Sequence, residues 1–101
     1  MGPEAKIEKK YLDFMKKSPM KAKIIKLQKT GERGLPDRLI VLPNARCLFI
    51  EFKAPGEKPT KIQGYRHQEL RDLDHIVGVF DCPHDAALWT AWHYLGMVIN
   101  A

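Results

Sequence analysis

The sequence predicts an α/β domain in which a small mixed sheet is flanked by helices. Three segments repeat apolar residues at helical spacing, and four shorter apolar runs of strand length are separated by turns rich in Gly and Pro. Elements of both kinds alternate along the chain, in the order α-β-β-β-α-β-α. The length of 101 residues and the hydrophobic content of 45% predict one domain over residues 1–101.

The first third predicts a helix and a short strand. Ile7, Tyr11, Phe14 and Met15 form one apolar stripe in a helix from Pro3 to Lys17, which the Ser-Pro pair at 18–19 ends. Glu8 projects inside that stripe, where an acid is costly unless it is paired or binds a metal, and Glu4 lies near it. A strand is expected from residue 23 to residue 28.

The middle of the chain predicts a hairpin and a capped helix. Strands from Arg38 to Leu42 and from Arg46 to Lys53 are joined by the turn at 43–45. Thr60 can cap the following helix, with Gln63 as its capping-box partner. That helix is expected to reach residue 73. An apolar strand at 76–80 and a helix at 83–95 complete the fold, and the strand-helix-strand unit predicts a crossover connection.

The charge distribution indicates where a polyanion would bind. The formal net charge is +5, residues 1–29 carry nine Lys against three acids, and residues 72–101 carry neither Lys nor Arg. A nucleic acid bound to the first two thirds fits this distribution, and so does a solvated Lys-rich helix face. Two unpaired cysteines and the lack of a long apolar run predict a cytoplasmic protein without a membrane span.

Three charged residues at the open ends of the hairpin form the main candidate site. Glu51 and Lys53 are two positions apart in one strand and therefore share a face, and Asp37 opens the preceding strand. An antiparallel hairpin brings its two ends together, so Asp37 and Glu51 should converge beside Lys53. Two adjacent carboxylates repel unless a cation lies between them, which predicts Mg²⁺ or Mn²⁺. A salt-bridge cluster that includes Arg38 is the alternative.

Several stretches carry a family resemblance. The segments RGLPDR, FIEFKAPGEKPTKIQ and IEKKYLDFMKK together resemble the VRR-NUC nucleases of the PD-(D/E)XK superfamily, in their stand-alone phage form. The resemblance covers the chain from about Glu4 to Asp85 and implies a restriction-endonuclease-like fold. It implies metal binding by Asp37 and Glu51, with Glu8 as the helix-one acid, and a catalytic role for Lys53. Gln63 matches the family's glutamine on the helix after the motif, which implies a role in the catalytic site, with the helix cap as its alternative role.

The expected chemistry is hydrolysis of DNA phosphodiester bonds. The backbone carbonyl of Phe52 lies between the two motif side chains and could also bind the metal. Six basic residues flank the motif segments and are expected to contact phosphates. They are Lys26, Arg33, Arg38, Lys58, Lys61 and Arg66.

The C-terminal segment, about 83–101, predicts a dimer interface. Leu88, Trp92 and Leu95 form one apolar stripe, while Trp89 lies on a different side of the helix. Such a helix needs two partners, its own sheet and a second subunit, unless Trp89 only covers the edge of the core.

A two-fold dimer would suit a symmetric substrate, and the resemblance points the same way. We therefore expect a Holliday-junction resolvase acting on branched DNA as a homodimer. A flap, fork or duplex nuclease and a non-catalytic DNA-binding module are the alternatives.

Overall fold

Three helices and four strands follow one another in the predicted order α-β-β-β-α-β-α in the computed structural model, which describes residues 1–27 and 32–96. The elements are α1 (Pro3–Lys17), β1 (Lys23–Lys26), β2 (Arg38–Leu42), β3 (Arg46–Phe52), α2 (Lys61–Asp72), β4 (Ile76–Phe80) and α3 (Pro83–Tyr94). The fold class is therefore confirmed, with element ends shifted by one or two residues. Residue 28, the expected end of β1, lies outside the described residues.

The four strands form one mixed sheet in the order β1-β2-β3-β4. β1, β2 and β3 are antiparallel neighbours, and β4 lies parallel to β3, as the crossover through α2 requires. Leu42 pairs with Arg46 across the predicted turn, in which Asn44 and Ala45 both have left-handed φ values. The register places the start of β2 beside the end of β3, because Arg38 pairs with Ile50.

The two faces of the sheet are covered by different helices. One face contributes Ile40, Leu48, Ile50 and Phe52 to the hydrophobic core, which also contains buried residues of α1 and α3. Side chains alternate along a strand, so Glu51 points to the opposite face, where Gln63 at the start of α2 contacts it. The apolar core therefore lies on one side of β3, and the charged side chain at the end of that strand lies on the other side.

Helix α3 packs on the sheet through Trp89. The ring of Trp89 lies 5.1 Å from that of Phe80, and a Cβ at Gly78 would stand only 2.8 Å from Trp89. Trp89 thus covers the edge of the core, the alternative weighed from the sequence. The stripe of Leu88, Trp92 and Leu95 is instead the exposed one, with Leu88 69% exposed.

None of the helices in the described ranges is long and apolar enough to cross a membrane.

Candidate active site

Asp37 and Glu51 converge at the open end of the β2–β3 hairpin, as their spacing predicted. The backbone N–H of Phe52 donates to Asp37 Oδ2 at 2.7 Å, which fixes the acid against the end of β3. The N–H and C=O of one strand residue point to the same edge, so the Phe52 carbonyl also faces Asp37. Metal binding by this carbonyl stays a prediction.

A third acid joins this pair from the first turn of α1. Glu4, Asp37 and Glu51 each place one carboxylate oxygen within 4.8 Å of the others. Burial, together with the charges of Glu51, Glu8 and Glu4, raises the pKa of Asp37 to about 7, against the lowering effect of the Phe52 hydrogen bond. The cluster is thus an arrangement in which not every carboxylate can be ionised at low cost.

A divalent cation fits this donor set. Clustered carboxylate oxygens are the ligands that Mg²⁺ and Mn²⁺ prefer, and a bound cation would offset both the burial and the repulsion that raise the pKa of Asp37. Glu51 Oε1 is moreover buried without a hydrogen-bond partner among the described residues, and its two lone pairs allow both a metal and one hydrogen bond. The residues that would hold the ion are Glu4, Asp37 and Glu51.

Glu8 was the helix-one acid predicted from the sequence, and the structure places it beside the cluster but outside it. Glu8 Oε2 lies 2.7 Å from Arg38 Nε in a partly buried ion pair. Its charge still acts on Asp37. Glu4 stands four positions earlier, on the same helix face, and this i to i+4 relation marks both acids as candidates without choosing between them.

Lys53 and Gln63 both approach the same oxygen of Glu51. Lys53 is buried with its Nζ 3.8 Å from Glu51 Oε2, and Gln63 Nε2 donates to that oxygen at 3.2 Å. Gln63 also closes the predicted capping box, in which its Oε1 accepts from Thr60 N at 2.9 Å. One side chain therefore fixes the start of α2 and orients the site acid.

His67 is the residue at this site that sequence reasoning left without a role. It is 2% exposed, and its Nε2 lies 3.8 Å from Glu51 Oε1. A lone histidine in an amphipathic helix gives no periodic signal. Its position four residues after Gln63 is the one clue, because that spacing puts both side chains on one helix face.

The six predicted phosphate contacts divide into two groups. Arg38 is paired with Glu8, and Arg66 is held by Glu69 at 2.8 Å and by the carbonyl of Arg33 at 3.0 Å. Both guanidinium groups therefore already have protein partners. The other four, Lys26, Arg33, Lys58 and Lys61, are exposed and make no side-chain ion pair within the described part of the chain.

A solved structure described as a VRR_NUC domain superposes on the chain with a TM-score of 0.77. The match covers 93% of this chain and 99% of that one at 24% sequence identity. The chain has the VRR_NUC fold. The resemblance seen in the sequence is thereby confirmed at the level of the fold.

A curated relative is closer in sequence. It is named "Putative nuclease p44", from Acyrthosiphon pisum secondary endosymbiont phage 1, and is 55% identical over 51 residues. Those residues are 50% of this chain and 55% of the relative, so the VRR_NUC-fold chain matches about half of that protein's length. No model of a known protein family matches the chain.

Proposed function

We propose that this chain is a metal-dependent DNA endonuclease that hydrolyses phosphodiester bonds. The observation that carries the proposal is the convergence of Glu4, Asp37 and Glu51 within 4.8 Å, with the buried Lys53 beside Glu51. A salt-bridge cluster would pair each acid with a base, whereas within the described residues neither Glu4 nor Asp37 has an ion pair and Glu51 lies near Lys53 and His67. The VRR_NUC fold and the name of the phage relative support the same activity.

The chemistry follows from what these residues can do. A bound Mg²⁺ or Mn²⁺ supplies charge neutralisation and lowers the pKa of a water molecule. The ion would be held by the carboxylates of Glu4, Asp37 and Glu51. Lys53, fixed by burial near Glu51 Oε2, orients the attacking water or stabilises charge on the phosphoryl oxygens. The exposed Lys58 and Lys61 hold the DNA backbone near the start of α2.

The substrate we propose is branched DNA, a four-way junction in particular, cut by a homodimer. The exposed apolar stripe of Leu88, Trp92 and Leu95 supports a second copy packed on α3, because large apolar groups at such exposure favour a protein partner over solvent. The adjacent groove is also apolar and is lined by residues of both α1 and α3. A two-fold axis through this surface would set two sites in the symmetric relation that a junction presents.

The activity is tested with one substrate panel of shared sequence. Labelled four-way junction, flap, fork and linear duplex are each incubated with EDTA, Mg²⁺ or Mn²⁺. We expect cleavage only with metal and fastest on the junction, and Lys53→Ala should reduce its rate at least about 100-fold. If the flap or the duplex is cleaved fastest, the proposed junction substrate is wrong. Junction binding without cleavage by the intact protein, unaffected by Asp37→Asn, would leave only a binding module.

The dimer is tested by sedimentation velocity at micromolar concentration. Leu88→Asp should convert a dimer to a monomer. Leu73→Asp is the matched control, because Leu73 is also 69% exposed but follows α2 rather than lying on α3. A monomeric wild-type protein would contradict the dimer.

A further inference from the structure

One buried polar contact in the site is incomplete. Glu51 is 1% exposed and His67 is 2% exposed, and Glu51 Oε1 and His67 Nε2 face each other at 3.8 Å. Within residues 1–27 and 32–96, neither atom has a hydrogen-bond partner. The separation is about 1 Å longer than a hydrogen bond. Small torsional changes of the two side chains can close this gap.

The other oxygen of the same carboxylate is already fixed. Gln63 Nε2 donates to Glu51 Oε2 at 3.2 Å, and Gln63 is itself held by the capping box of α2. His67 stands one helical turn further along the same face. One helix therefore presents a donor to each oxygen of the acid.

We propose that His67 is a positioning residue that donates its Nε2–H to Glu51 Oε1 and sets the orientation of this carboxylate for the metal. The inference rests on the proposed function, because it gives His67 a role toward the ion held by Glu4, Asp37 and Glu51. Carboxylates that bind a metal are themselves held by hydrogen bonds, and loss of such a partner costs on the order of 10–100-fold in metal affinity or activity.

A packing role for His67 makes a different prediction. Removing an unpaired buried polar group and filling its space with an apolar side chain costs little stability and can add some. If His67 only fills the interior, His67→Met should therefore change neither metal affinity nor the cleavage rate beyond what its effect on folding explains.

The test measures metal binding without DNA and without turnover. Mn²⁺ is titrated into the whole protein and the free ion is followed by electron paramagnetic resonance. We expect His67→Met to weaken Mn²⁺ binding on the order of 10-fold or more while the melting temperature in EDTA stays equal or rises. His75→Met is the matched control, because His75 precedes β4 at the end of the sheet remote from Glu51 and contacts Phe49.

Two further variants keep the test decisive should the Met variant fold poorly. His67→Gln carries an amide N–H at about the reach of Nε2 and should keep Mn²⁺ affinity within about threefold of wild type. His67→Asn has the same chemistry but is one bond shorter, and should lose affinity as the Met variant does. Equal Mn²⁺ affinity in wild type, His67→Asn and His67→Met would overturn the proposal. A wild-type protein that neither binds Mn²⁺ nor cuts DNA would instead overturn the proposed function.

Discussion

Two buried polar pairs on opposite faces of the sheet differ in how completely their atoms are bonded. On the core face, the Tyr11 hydroxyl lies 2.8 Å from Thr90 Oγ1, and Thr90 donates its own proton to the Ala86 carbonyl at 2.8 Å. Because a hydroxyl has one proton, Tyr11 must be the donor to Thr90. On the sheet face that α2 covers, Glu51 and His67 are as deeply buried, and one atom of each has no hydrogen-bond partner in the described part of the chain.

The difference separates the part of the molecule that stabilises the fold from the part that binds ligands. The Tyr11–Thr90 bond ties α1 to α3 across 79 positions of sequence and leaves neither hydroxyl proton unused. Asp37 is instead partly buried beside other carboxylates, and burial together with their charges raises its pKa. Such a shift is typical of sites where a ligand completes the bonding.

The largest effect is expected for Asp37→Asn. The variant loses one of the three clustered carboxylates, and its cleavage rate should fall about 100-fold or more. Its metal-free form should be more stable than wild type at pH 8, because one charge has left the cluster. Cleavage assays and thermal melts in EDTA measure the two results. Full activity in this variant would remove Asp37 from the site.

The raised pKa of Asp37 also predicts how the stability of the protein changes with pH. The pKa of Asp37 is about 7 in the folded protein against 3.8 for a free side chain, so stability falls as the pH rises between these values. Its contribution to stability is complete below about pH 4 and is lost as the pH rises through 7. The melting temperature of wild type in EDTA should therefore fall relative to Asp37→Asn between pH 5 and pH 8. A constant difference would contradict the raised pKa.

The two acids of α1 should behave differently although they lie one turn apart. Glu4→Gln should weaken Mn²⁺ binding on the order of 10-fold, because Glu4 belongs to the carboxylate cluster. Glu8→Gln should leave Mn²⁺ binding nearly unchanged and cost about 1 kcal/mol of stability, because it removes the charged partner of Arg38. If Glu8→Gln instead binds Mn²⁺ more weakly than Glu4→Gln, Glu8 rather than Glu4 is the metal ligand.

The smallest effect is expected on the core face. Tyr11→Phe keeps the ring that packs 5.3 Å from that of Phe52 and removes the hydrogen bond to Thr90, whose own bond to Ala86 persists. Stability should fall by about 1 kcal/mol, measured by urea unfolding, with Mn²⁺ affinity unchanged. A change in Mn²⁺ affinity would show that the two faces are coupled.

Much of this structure could be predicted because its signals are local. The apolar stripe of α1, the turn at 43–45 and the capping box of α2 each lie within a few residues of sequence. The alternation of side chains along β3 then separated Glu51 and Lys53 from the core, and the hairpin brought Asp37 to them.

What could not be predicted depends on contacts between distant elements. Helical spacing puts Glu4 and Glu8 on one face, but only the packing angle of α1 decides which acid reaches Asp37 and which meets Arg38. Spacing likewise divides Trp89 from Leu88 without saying which side of α3 lies on the sheet. The role given to His67 required knowledge of burial, which a single histidine in a helix does not reveal.

The distribution of the site along the chain has a consequence for protein synthesis. Its acids come from residues 4, 37 and 51, and the helix that orients Glu51 extends to residue 72. A chain emerging from the ribosome N-terminus first carries Glu4 long before the strand that must receive it. A copy that ends before residue 51 therefore has no assembled acid cluster, and the cluster can form only after about half of the domain has been synthesised.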